Sequence, residues 1–211
     1  MPSALAMASP DSAGAAPVGG DEAALVARLG LDPLAVVRGL RAAHAPVFRQ
    51  SPSLPSVRAM VRCLGPAICR RLLTPMPVAL AAEGPLRELW HHSVATAMAA
   101  EELATLSGLL DPEAAWLGGL LFELPAWLQL LRGEPRRGAP QFTAQEWIAH
   151  WQLPSALVGM LQHARASEPV TPSVLSLMTV ADLLLVARRL AGLAGFPNPA
   201  AVAATGAAGA V

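Results

Sequence analysis

After Gly84 the chain carries four histidines, His91, His92, His150 and His163, and two acids set in apolar stretches, Glu123 and Asp182, side chains of the kind from which metal or acid–base chemistry is built. A histidine in a helical region is ordinarily a surface or satisfied core residue. The two acids say more. Glu123 stands in WLGGLLFELPAW and Asp182 in VLSLMTVADLLLVA, and an unpaired carboxylate in such apolar surroundings costs several kcal/mol. Something must face each of them. The plain partners are Arg188 or Arg189 near Asp182, a helix N-terminus, or hydrogen bonds from His92 or Trp90. The sharper reading brings His92, Glu123 and Asp182 from three helices around a divalent metal.

The elements that would position these groups are helices. From Asp21 onward the apolar spacing is helical almost throughout, and no run alternates with the period of a strand, so the expected fold is all-α. Asp21 is placed to cap a first helix, and Asp32-Pro33 to start a second. Ser56 caps a short helix that Gly65-Pro66 ends before another begins. Pro85 to Gly108 bounds the longest helix, and Asp111-Pro112-Glu113 starts one that runs on through the Glu123 stretch. Thr143 to Glu146 reads as a capping box, Leu153-Pro154 starts a helix to Arg165, and Thr171-Pro172 starts the last, through Ala191. These form one helical domain over 21–192, with residues 84–192 as its later part, after a disordered lead-in over 1–20. The segment 193–211 reads as a flexible tail without an anchoring residue. There is no internal repeat and no sustained heptad.

Composition narrows the function classes. Of the 211 residues 54% are hydrophobic and 14% charged, enough to bury one sizeable core. The formal net charge of +0 supplies no field for phosphate backbones, so no nucleic-acid partner is expected. The most apolar segments, 116–131 and 173–187, carry Glu123 with Pro125, and Asp182, which argues against a membrane span. Cys63 and Cys69 are spaced for neither a redox pair nor a zinc site, and the lead-in has no basic residue ahead of an apolar stretch; a reduced, cytoplasmic setting is expected. Trp90, Trp116, Trp127, Trp147 and Trp151 lack interleaved basic residues, so they read as core or interface anchors rather than a base-stacking platform. The pairs Arg70-Arg71 and Arg136-Arg137 read as solvated faces.

Order and spacing point further. DPLAVVRGLRAAHAPVF, then SVRAMVRCLGPAICRRLL, LWHHS, GGLLFELPAWLQLL, WQLPSALVGMLQHA and VADLL resemble, in that order and over about 21–192, the pattern of an HDOD domain. This is the HD-related output domain of bacterial signalling proteins. The resemblance implies a compact multi-helix bundle related to HD metal-dependent phosphohydrolases. In those enzymes a first histidine, a His-Asp pair and a last aspartate hold a divalent metal that polarises a phosphoryl oxygen and activates water.

Carried onto this sequence, the first histidine matches His92, the last aspartate Asp182, and the His-Asp pair Phe122 and Glu123. Phe122 cannot ligate, and Glu123 keeps the charge on an arm longer by one methylene. The family's paired histidines match His163 and Ala164, and the glycine after its His-Asp pair is Pro125. The site therefore reads as vestigial, comprising His92, Phe122, Glu123, His163 and Asp182, with no cofactor expected. Three surviving ligands, His92, Glu123 and Asp182, suffice at most for a weak divalent-metal site. The function expected is a noncatalytic signalling module acting through a protein partner in trans. Two rivals stand beside it: a residual phosphohydrolase, and a sensor of a nucleotide or other small ligand in a pocket between His92, Phe122 and Asp182.

Overall fold

The computed structural model describes residues 18–45, 56–73, 84–132, 153–166 and 179–199. Among them every regular element is an α-helix. The first is α1 (Val18–Gly30), which buries Leu25 and Leu29. It begins three residues before Asp21, so Asp21 is not its cap; its carboxylate instead pairs with Arg70. Helix α2 (Pro33–Ala43) starts where Asp32 accepts from the amides of Leu34 and Ala35, at 3.0 and 2.9 Å, with proline at its first position.

Helix α3 (Val57–Leu72) is capped by the Ser56 hydroxyl, which accepts from the Ala59 amide at 3.1 Å. It bends sharply at Gly65, whose φ of 74° is open to glycine but strained for other residues. Pro66 adds a missing donor there, so the expected break is present as a kink. Helix α4 (Pro85–Ser107) ends as expected at Gly108, left-handed with φ of 66°, its amide donating to the Ala104 carbonyl at 2.8 Å.

The stretch after Asp111 departs from the expectation of a single helix. Helix α5 (Pro112–Leu121) stops, the chain turns at Phe122 and Glu123, and α6 (Leu124–Arg132) begins anew. Pro125 is the physical reason: inside a continuous helix it has no amide to donate and its ring would strike the Leu121 carbonyl. At the second position of a new helix both costs vanish. Glu123 thus sits at a helix start, its carbonyl accepting from the Trp127 amide at 3.1 Å.

Helix α7 (Ser155–Ala166) follows Pro154, and α8 (Val180–Leu193) closes the described part. Thr179 is extended, with φ −93° and ψ 168°, so α8 cannot be the continuous helix from Thr171 through Ala191 that apolar spacing suggested. Residues 171–178 lie outside the described residues, as do the 143–146 capping box, Arg136, Arg137, His150, Trp147 and Trp151.

Helices α1, α2 and α3 pack on one another, and α4 is the central member of the rest, flanked by α5, α6 and α8. The crossing of α4 and α5 is unusually close. A Cβ on Gly119 would lie 2.7 Å from the Ala97 Cα and 2.8 Å from the Thr96 carbonyl oxygen, so the contact is backbone against backbone. Two indoles join the halves: Trp116 donates to the Gly30 carbonyl at 3.1 Å and Trp90 to the Leu31 carbonyl at 2.7 Å. They satisfy acceptors that the end of α1 would otherwise leave open. Trp127 is buried and donates to the Ser93 hydroxyl at 3.1 Å. These three tryptophans are core and interface anchors, as their spacing suggested. No helix among the described residues is long and apolar enough to cross a membrane.

The segment after α8 corrects another expectation. Phe196 donates its amide to the Ala191 carbonyl at 3.0 Å, and Asn198 and Pro199 are buried. The segment read as an unanchored tail is therefore held at Phe196 and buried at 198–199, although residues 193–197 are exposed. Its anchors are backbone groups and a buried asparagine, which hydrophobic patterning does not register.

Candidate functional site

Helix α4 carries His92 inward, 1% exposed. Its Nδ1–H donates to the Phe196 carbonyl at 2.7 Å; a ring nitrogen facing a carbonyl oxygen must bear the proton. The other ring nitrogen, Nε2, is buried without a hydrogen-bond partner among the described residues and lies 3.7 Å from Oε1 of Glu123, beyond hydrogen-bond reach. A ring whose Nδ1–H is held by a carbonyl while Nε2 is presented has the posture of a metal-ligating histidine.

The turn between α5 and α6 brings Glu123 to this nitrogen, and α8 brings Arg188. Glu123 is 3% exposed, and the Arg188 Nε donates to its Oε1 at 2.5 Å. The guanidinium carbon stands 5.4 Å from the centroid of the Phe122 ring, within range of a cation–π attraction. Arg188 thus meets both Glu123 and Phe122: the acid by charge and hydrogen bond, the ring by its face. A charge-assisted bond of this kind offsets the cost of burying the carboxylate.

Asp182 is differently employed. Its Oδ2 accepts from the Thr179 amide and the Thr179 hydroxyl, each at 2.8 Å, while the hydroxyl accepts from the Asp182 amide at 3.3 Å. This is a capping box at the start of α8. The structure therefore brings together His92, Phe122 and Glu123, adds Arg188, and engages Asp182 at a helix start. The side chain of His163 lies outside the described residues. Trp90, a candidate donor to the acids, bonds the Leu31 carbonyl instead, and His91 packs its ring against Trp90 at 5.0 Å between centroids.

Tested against a divalent metal, the described residues do not fit. Phe122 has no donor atom, a guanidinium stands on Glu123, and Asp182 is held by Thr179. Among the described residues no three His, Cys, Asp or Glu side chains form a group able to hold a metal. Sequence reasoning named Arg188 as a partner for an acid but set it beside Asp182; the six-residue step between them on α8 turns the two side chains about 120° apart. Two features were missed. The capping box is legible as T-V-A-D, whereas the Phe196 carbonyl has no sequence signal, since any residue could supply it.

Cys63 and Cys69 are not bridged, and burial pushes the Cys69 thiol up. Away from the site, Glu113 and Arg58 form an ion pair at 2.6 Å. Burial pushes the Glu113 carboxyl up, but hydrogen bonds from Ser56 and Arg58 and the Arg58 charge outweigh it and leave the group below the usual carboxylate range. Burial, with repulsion from Glu102 and Glu113, pushes the Glu101 carboxyl up.

The HDOD domain family matches residues 23–133, and the chain belongs to that family. The match spans α1 to α6 and so includes His92, Phe122 and Glu123. There is no match among curated proteins and none among solved structures.

Proposed function

We propose that the chain is a noncatalytic regulatory module of bacterial signal transduction, which acts in the cytoplasm by binding a partner protein in trans. The observation that carries the reading is the Arg188–Glu123 contact over Phe122. A fixed protein cation stands where an HD phosphohydrolase would need an exchangeable metal cation, and it brings no water with it to activate. His92 keeps the posture of a ligand, Nδ1–H on the Phe196 carbonyl and Nε2 toward Glu123, which supports a site inherited from a metal-binding ancestor and retained for packing. His92, Phe122, Glu123 and Asp182 are on this reading the vestige, with His163 as its fifth sequence position.

A regulatory role follows from family membership together with this loss of chemistry, since a helical domain without a reaction acts by what it touches. The test is turnover of bis(p-nitrophenyl) phosphate by the whole chain supplied in turn with manganese, iron(II) and magnesium. The expected result is a rate equal to that of the metal in buffer. Turnover that disappears in His92→Ala would overturn the reading. Crosslinking in the native host, followed by mass spectrometry, checks the second half: a reproducible protein partner is expected, and crosslinks confined to the chain itself would count against it.

A further inference from the structure

Away from the site just described, α1, α3, α4 and α5 enclose an open cavity of about 320 Å³. That volume falls at the small end of the range of ligand pockets, about 300–1,000 Å³. Most of the described wall is apolar: Val26, Ala27 and Leu31 on one side, Val57 and Trp116 on the other. The Trp116 ring is held in place by its bond to the Gly30 carbonyl, so one face of the cavity is a rigid aromatic surface.

Three charged groups also reach the cavity: Arg58, Glu113 and Glu101. Arg58 and Glu113 neutralise each other at 2.6 Å. Glu101 has no such partner among the described residues; the charged neighbours acting on it are the carboxylates of Glu102 and Glu113. The wall therefore carries an uncompensated negative charge beside an apolar, aromatic surface. Anionic ligands such as nucleotides are repelled by it. A neutral apolar ligand would fill the space and leave the carboxylate partly desolvated and unpaired.

We infer that this cavity binds a small organic monocation, with a primary ammonium against Glu101 and an apolar body against Trp116 and α1. The ammonium supplies the charge-assisted bond that Glu101 lacks, and the ring offers the apolar body a flat surface to pack on. The site joins α1 and α3 to α4 and α5, so an occupant ties together the two halves that the Trp90 and Trp116 indoles already link. The inference does not rest on the noncatalytic reading, and the two fail in different experiments.

The test uses amide chemical-shift mapping of the whole chain with benzylammonium, benzyl alcohol and benzoate as probes. Benzylammonium is expected to give saturable shifts in α1, α3, α4 and α5, with benzyl alcohol weaker by about tenfold or more and benzoate giving none. Glu101→Gln should abolish the preference for the ammonium, and Ala27→Leu, at an exposed wall position, should weaken both probes by filling the cavity. Glu102→Gln, on the exposed side of α4, should leave the preference in place. The inference is overturned by equal binding of amine and alcohol, by unchanged ammonium preference in a folded Glu101→Gln variant, or by no saturable shift with benzylammonium.

Discussion

Arg188 holds Glu123: the guanidinium Nε of one stands 2.5 Å from the carboxylate Oε1 of the other. Glu123 is buried, whereas the Arg188 side chain is 36% exposed, so the arginine reaches in from the surface to meet an acid that cannot reach out. The pair joins α8 to the turn between α5 and α6, elements 65 residues apart in the chain.

This asymmetry sets a first prediction. Arg188→Ala leaves a buried carboxylate without its cation and should cost about 3 kcal/mol in urea denaturation. Adding Glu123→Gln to it should recover most of that loss, because the amide has no charge to strand. A double variant no more stable than Arg188→Ala would mean that the arginine contributes through packing alone.

A second prediction concerns the buried bond between Trp127 and Ser93, at 3.1 Å. Ser93→Ala removes the acceptor and leaves an indole N–H unsatisfied in the core, at a cost of about 1–3 kcal/mol. Thr96→Val, which removes a donor to the His92 carbonyl, provides the comparison: that carbonyl keeps its place in the helix ladder, and the loss should be smaller.

Adjacent glycines in α5 should respond unequally. At Gly119 a Cβ would meet the backbone of α4 at 2.7 Å, while at Gly118 it would meet the Cε of Met160, also at 2.7 Å. A methionine tip can swing aside and a helix backbone cannot. Gly119→Ala should therefore lose about 3 kcal/mol and Gly118→Ala under about 1 kcal/mol, read from thermal or urea unfolding.

Much of this was legible beforehand, for local reasons. Asp32, Ser56, Gly108 and Asp111 cap as their types and neighbours indicate, because capping is decided within a few residues. The break at Pro125 was equally local, but the proline was weighed against a membrane span and not as the start of a new helix. The partner of Glu123 was not legible, since nothing in the spacing of α5 and α8 says which faces meet. The hold on the final segment escaped for the same reason: His92 bonds the Phe196 carbonyl across 104 residues.

The two carboxylates at the α1–α5 cavity should respond oppositely to acid. Glu113 is held below the usual carboxylate range, so its stabilisation is present above its unfolded value and lost as the pH falls through the folded one. Glu101 is raised, so its contribution is present at low pH and lost as the pH rises through its folded value. Glu113→Gln should be less stable than the parent at about pH 7 and converge with it toward about pH 3, by no more than about 1 kcal/mol, the side chain being 39% exposed. Glu101→Gln should be the more stable protein at neutral pH, with that advantage vanishing in acid. Melting temperatures across the pH range check both signs.

The central claim is that a protein cation has taken the place of a metal beside His92, and the metal content of the chain purified without chelator tests it most directly. Elemental analysis is expected to find transition metal well below stoichiometry, at the same level in the parent and in Glu123→Gln. A stoichiometric metal that is lost on substituting His92 or Glu123 would contradict the account.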